Sequence, residues 1–195
     1  MGKPAATDRP RLTSLSHSFT LDLVICSSGR AEQALAVMRD MMSKLKLTVN
    51  ETKTRVSKLP EEKFDFLGYT FGRCYSPKTG RAYLGTVPAK KRVIRICKAI
   101  SNETGRNRTL LDHQTIVTKL NQMMNGWANY FCLGPVSKAY QAVDQHSCKR
   151  LRQWLCAKHK EAGSATRKYS DVILHDRFGL VRLTERTRNF SWAKS

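Results

Sequence analysis

Leu120-Asn121-Gln122-Met123-Met124-Asn125-Gly126-Trp127-Ala128-Asn129-Tyr130-Phe131 carries an apolar stripe at helical spacing into a glycine, then into three aromatics interleaved with asparagine. Glycine lowers helix stability by about 1 kcal/mol relative to alanine. A helix that serves only as core has little use for Gly126, Asn125 and Asn129 among large aromatics. A packed corner that also meets a polar partner does. Upstream, Ile116, Leu120, Met123, Trp127 and Tyr130 continue as one stripe, and Asp112 is a suitable N-cap for the helix that carries it. Leu133-Gly134-Pro135 ends that helix.

The flanking segments are also helical in pattern. Ala89–Asn102 turns Val93, Ile96, Cys97 and Ile100 to one side and Lys91, Arg95 and Lys98 to the other, at i, i+4 and i+7. Ser137–Lys160 places Tyr140, Val143, Leu151, Trp154 and Leu155 inward and Lys149, Arg150, Arg152 and Lys158 outward. Three such helices with short connections predict a small bundle with basic faces. Beyond Gly163 the pattern is mixed, with a helix near Lys168–Leu174 and a strand-like Leu180–Leu183.

Before Val87-Pro88 the character differs. Phe19–Cys26 is a short apolar, β-branched run that reads as a strand. Residues 30–47 have helical spacing through Ala34, Leu35, Met38, Met41, Met42 and Leu45. Strand-like pieces follow at Leu47–Val49, Thr54–Leu59 and Phe64–Phe71. Ser76-Pro77-Lys78-Thr79-Gly80 reads as a turn joining Phe66–Cys74 to Ala82–Thr86 in a hairpin. The fold class expected is α+β, mainly α: a small sheet with a hairpin, then a basic three-helix bundle.

Lys and Arg number 35 against 15 Asp and Glu, a net charge of +20 in 195 residues. That imbalance opposes compaction and calls for a polyanionic partner. The basic residues are spread over most of the chain and no long apolar run exists, so nucleic acid outranks a membrane surface. The polar start lacks the apolar stretch of a secretory signal. Six cysteines show no CxxC pair, and reduced thiols in a cytoplasmic protein are expected. Cys148, Cys156 and His159 offer only one loose ligand pair, too little for a zinc framework. His113, His146, His159 and His175 have no nucleophile or paired carboxylate nearby in sequence, so no metal and no acid–base catalytic set is expected.

The block Gly126-Trp127-Ala128-Asn129-Tyr130-Phe131 resembles the Gly-Trp-x-Asn-Tyr-Phe motif in the thumb (X) region of group II intron reverse transcriptases, the maturase region. Leu47-Thr48-Val49-Asn50-Glu51-Thr52-Lys53-Thr54 and Phe64-Asp65-Phe66-Leu67-Gly68-Tyr69-Thr70-Phe71 are similar to the end of that family's palm, in the same order and spacing. Gly179–Leu183 and Arg186–Lys194 resemble its C-terminal end. The resemblance covers roughly residues 19–195 and implies four regions. These are a polar, disordered leader (1–18), a palm remnant with hairpin (19–87), a thumb/maturase bundle (88–160) and a C-terminal extension (161–195).

The same register sets Phe19-Thr20-Leu21-Asp22 on the family's Tyr-Ala-Asp-Asp motif, whose carboxylates hold two Mg²⁺ ions. Leucine cannot ligate a metal, so Asp22 is expected to be vestigial and the catalytic set absent. The fingers lie upstream in the family, so the chain is expected to be truncated at its N-terminus and unable to reverse transcribe alone. Its expected role is binding structured RNA, in particular group II intron RNA, to assist splicing, with no cofactor and with Mg²⁺ entering only through that RNA or a complementing polymerase chain. Two alternatives are a non-functional mobile-element remnant and a subunit that complements a separate fingers–palm chain. The RNA-binding residues expected are Lys91, Arg95, Lys98, Lys149, Arg150, Arg152, Arg167, Lys168, Arg186 and Arg188. Phe66, Leu67, Gly68, Gly126, Trp127, Asn129, Tyr130 and Phe131 are expected to be structural. By resemblance, Phe66, Gly68, Tyr69 and the hairpin through Arg81 form the primer grip, where Gly68 permits a strand of nucleic acid to approach. No membrane association is expected, and self-association through the exposed palm remnant is.

Overall fold

The computed structural model describes residues 22–76, 79–161 and 165–187. The leader, Phe19-Thr20-Leu21, Arg188 and the block that follows it lie outside the described residues. Helix α1 spans Ala31–Lys44 and has no buried residue, although its apolar positions have helical spacing. Asp22–Ser27 forms no strand, and neither do Leu47–Val49 and Thr54–Leu59, contrary to expectation. An apolar, β-branched run becomes a strand only when a neighbour completes its hydrogen bonds, and no described segment pairs with these.

Pairing begins at β1, Phe64–Phe66, which runs antiparallel to β2, Tyr69–Tyr75, which in turn pairs with β3, Ala82–Pro88. The single strand expected over Phe64–Phe71 is thus a tight hairpin. Leu67 and Gly68 both have positive φ (48° and 85°) between the closing pair Phe66 and Tyr69, as a type I′ turn requires. The longer hairpin matches expectation, with Arg73 opposite Leu84 and Tyr75 opposite Ala82.

The helical half follows the 3.6-residue period closely. Helix α2 is Lys90–Glu103, α3 is His113–Tyr130 and α4 is Ser137–Lys158. The Asp112 carboxylate accepts from the Gln114 N–H and starts α3, as its position predicted. Ile96 and Ile100 of α2, Ile116, Leu120 and Met124 of α3, and Tyr140, Leu151 and Leu155 of α4 fill one core. The core does not stop at α4. Short helices α5 (Ala165–Lys168), α6 (Asp171–Asp176) and α7 (Leu183–Arg186) bring Tyr169, Leu174, Leu180 and Leu183 into it. Leu180–Leu183 leads into α7 and is not a strand.

Sheet and bundle are joined at one seam. The Tyr69 hydroxyl donates to the Tyr130 carbonyl at 2.6 Å, and the Tyr130 hydroxyl donates to the Leu67 carbonyl at 2.8 Å. Phe131 packs its ring 5.2 Å from that of Tyr69. Gly134 has φ +75°, and a Cβ there would lie 2.0 Å from the Thr86 carbonyl oxygen, so only glycine lets the α3–α4 corner meet β3. Among the described residues no helix is long and apolar enough to cross a membrane.

Candidate nucleic-acid interface

The outer face of α2 carries a row of exposed cations. Lys91, Arg95 and Lys98 lie opposite the buried Ile96 and Ile100, as an amphipathic helix dictates. Lys91 pairs with Asp65 at 2.8 Å, which together with the Thr70 hydroxyl holds the Asp65 carboxyl below its ordinary range. Among the described residues, Arg95 and Lys98 have no ion-pair partner.

The first turn of α2 adds a signal that a count of helix faces missed. Lys90, Lys91 and Arg92 follow one another there, with no acidic residue and no capping side chain on Ala89. The positive end of a helix dipole disfavours cations by about 0.3–1 kcal/mol each. An anion at that end reverses the balance. The hairpin presents a further basic patch, with exposed Arg73 and Arg81 beside Tyr75, which is 62% exposed, and Leu84.

Other cations named from the sequence have partners inside the protein. Arg150 donates to the Ser101 and Thr104 carbonyls and the Thr104 hydroxyl at 3.0–3.1 Å, closing the C-terminus of α2. Arg152 donates to the Tyr169 carbonyl at 2.7 Å and pairs with Asp171. Lys158 donates to the Thr109 and Leu111 carbonyls and lies over the Trp154 ring. These three side chains, expected on the solvent face of α4, are half-buried. Arg150 thereby saturates carbonyls that the end of α2 would otherwise leave open. Lys168 pairs with Glu161, while Lys149 and Arg167 are exposed.

Arg186 forks across one turn of α3. Its Nη1 donates to the Asn125 Oδ1 at 3.0 Å and its Nη2 to the Asn129 Oδ1 at 2.6 Å. The i, i+4 spacing of the two asparagines is what a planar guanidinium spans. Trp127 and Phe131 pack at 5.0 Å, and Phe131 is buried. Tyr130 departs from that stripe and is 54% exposed, because its ring reaches out of the bundle to the β1–β2 turn. A Cβ on Gly68 would meet the Arg92 Nε at 3.0 Å and the Phe131 ring at 3.2 Å. The close neighbours of Gly68 therefore come from the protein itself.

The remaining titratable groups look structural. The buried Cys148 thiol is pushed up to about 11 by burial and lies 3.4 Å from the His175 Nε2, whose Nδ1 faces the Leu180 carbonyl at 2.7 Å. A thiol that stays protonated is a poor nucleophile. Among the described residues no three His, Cys, Asp or Glu side chains are grouped to hold a metal ion. Asp22 is exposed.

Residues 93–170 match the group II intron, maturase-specific domain. Over those residues the helical bundle is similar to that domain. No curated protein matches the chain. The matched region opens one turn into α2 and closes between α5 and α6. The maturase-specific domain thus contains most of the basic α2 face, all of α3 and all of α4. Its core nevertheless draws on Leu174, Leu180 and Leu183 beyond the match.

Proposed function

We propose that this chain binds structured group II intron RNA as a maturase, helps that RNA reach its splicing-competent fold, and does not polymerise on a template by itself. One observation carries the reading. A region matching the maturase-specific domain includes Arg95 and Lys98, which with Lys91 just before it line the face of α2 opposite the core, in a chain of net charge +20. Such a face neutralises phosphates, and each neutralised phosphate steepens the salt dependence of binding. The RNA supplies the catalysis and brings any Mg²⁺ with it.

The test is titration of the whole chain against a group II intron RNA and a scrambled RNA of equal length, across a range of salt. Preferential binding of the intron RNA is expected. Equal affinity with equal salt slope would reduce the interaction to charge and reject a maturase role. Extension of a primed template by the chain alone, with Mg²⁺ and deoxynucleotides, would reject the absence of polymerase activity.

The surface of α1 favours a second reading. It leaves Val37 and Met41 exposed beside Leu23 and Ile25, an apolar patch suited to a separate fingers–palm chain. Extension regained only when such a chain is added would support it.

A further inference from the structure

Helix α3 has a second exposed face whose composition the bundle does not explain. Thr115, Thr118, Gln122, Gly126 and Asn129 fall within one third of the helix circumference, opposite the buried Val117, Leu120 and Met124. All five are exposed. The 18 residues of α3 include no Asp or Glu. An ordinary solvated helix face is rich in charges of both signs. This one offers hydroxyls, amides and a bare stretch of backbone, with the exposed Lys119 at one edge, paired with Glu103 of α2 at 3.3 Å.

Gly126 belongs to this face. A Cβ there would meet nothing within 4 Å, so neither packing nor a turn requires glycine. The helix nonetheless keeps the residue least suited to its interior after proline. Glycine in a regular element also serves where a ligand comes close to the main chain. Arg186 occupies the side-chain carbonyl oxygens of Asn125 and Asn129 and so leaves their amide N–H₂ groups to donate. The face is rich in donors, bears positive charge at its edges through Arg186 and Lys119, and has no carboxylate of its own, the nearest being Glu103 of α2 paired with Lys119.

Resting on the RNA-binding reading above, we infer that this face of α3 receives the sugar–phosphate backbone of an RNA helix, with Gly126 as the point of closest approach. Phosphate oxygens and 2′-hydroxyls accept from the amides and hydroxyls, as in recognition of RNA by shape across its minor groove. The cations of α2 supply attraction at longer range. The α3 face supplies fit.

Two substitutions test this. Gly126→Ala fills no occupied space and improves helix propensity, so the thermal midpoint of the free protein should rise by about 2–4 °C. Its affinity for intron RNA should fall by about tenfold, with the salt slope unchanged because no ion pair is lost. Gln122→Glu places a carboxylate on the face and should weaken binding similarly while the protein stays folded. The pair Arg95→Ala, Lys98→Ala serves as the contrast, with a shallower salt slope. Wild-type chain that fails to prefer intron RNA over scrambled RNA overturns the functional reading. Wild-type chain that prefers it, with Gly126→Ala and Gln122→Glu binding within twofold of wild type, overturns the α3 face alone.

Discussion

The Tyr69 hydroxyl donates to the Tyr130 main-chain carbonyl at 2.6 Å across 61 residues of sequence. It joins the first residue of β2 to the last residue of α3 and also receives the Leu133 N–H at 3.4 Å. Burial, the largest influence on it, raises the Tyr69 pKa, so the hydroxyl remains a donor. Tyr69→Phe keeps the ring contacts with Tyr130 and Phe131 and removes these two hydrogen bonds. A loss of about 1–2 kcal/mol is expected, read as a lower urea midpoint. Faster hydrogen exchange should appear first in the sheet. Unchanged exchange there would show that the aromatic contacts alone hold the seam.

Two residues with positive φ behave oppositely when changed. Leu67, at φ 48°, is 58% exposed and contributes little packing, yet it occupies a conformation costing about 1–2 kcal/mol for a residue with a Cβ. Leu67→Asn should stabilise the chain by about 1 kcal/mol, since asparagine is favoured in this turn. Gly134→Ala adds both that conformational cost and a Cβ 2.0 Å from the Thr86 carbonyl oxygen, so a loss of about 3 kcal/mol is expected. Thermal or urea unfolding of the two variants checks the signs. A destabilised Leu67→Asn would mean that the leucine side chain contributes more to stability than its turn conformation costs.

The helices were readable because burial of one face imposes a period that survives any detail of packing. Ile96, Ile100, Ile116 and Leu120 fall where the stripe predicts, and the Asp112 cap is a local interaction between neighbours in sequence. Strands depend on distant partners. The apolar run ending at Cys26 has the residues of a strand but no described neighbour, whereas Phe64–Phe66 finds one directly after the two-residue Leu67-Gly68 turn. The destinations of the arginines were hidden for the same reason. Arg150 meets carbonyls 46 and 49 residues away, and Arg186 meets amides 57 and 61 residues away. Only helix pairing decides that these forks close helix ends or span asparagines. Lys90 and Arg92 were legible in principle, because three cations in a helix's first turn conflict with its dipole.

His146 gives the bundle a pH dependence of definite sign. Its Nε2 lies 2.9 Å from the Ser101 Oγ, between α4 and α2. Burial first, then the charges of Arg150 and Lys149, hold its pKa below the ordinary 6.5, against a main-chain hydrogen bond at Cys97 that raises it. The unfolded chain therefore takes up this proton at higher pH than the folded one. Stability from the neutral imidazole is complete above the unfolded value and is lost as pH falls toward the folded one. Wild-type chain should lose more stability between pH 7.5 and pH 5 than His146→Gln, which cannot titrate. Equal losses in urea titrations at the two pH values would reject this. Carboxylates with lowered pKa, such as Asp65, act only at lower pH and equally in both proteins.

The segment beyond residue 170 should prove inseparable from the maturase-specific domain. The buried Asp144 of α4 accepts from the Leu183 N–H at 2.9 Å, and from the Thr184 N–H and hydroxyl at 3.0 Å each, capping α7. Asn121 of α3 donates to the Gly179 carbonyl and accepts from the Val181 N–H, both at 2.8 Å. These bonds set Leu174, Leu180 and Leu183 into the core. Asp144→Ala leaves two main-chain donors without their acceptor, with an expected loss of about 2–3 kcal/mol. It should also bring early protease cleavage between α6 and α7. Removing everything after Ser170 deletes three buried leucines and exposes the core they cover, at about 1.5–3 kcal/mol each, a sum comparable to the net stability of many domains. A chain ending there should bind hydrophobic dyes and unfold without a cooperative transition. A sharp unfolding transition in that truncated chain would show that the bundle closes by itself.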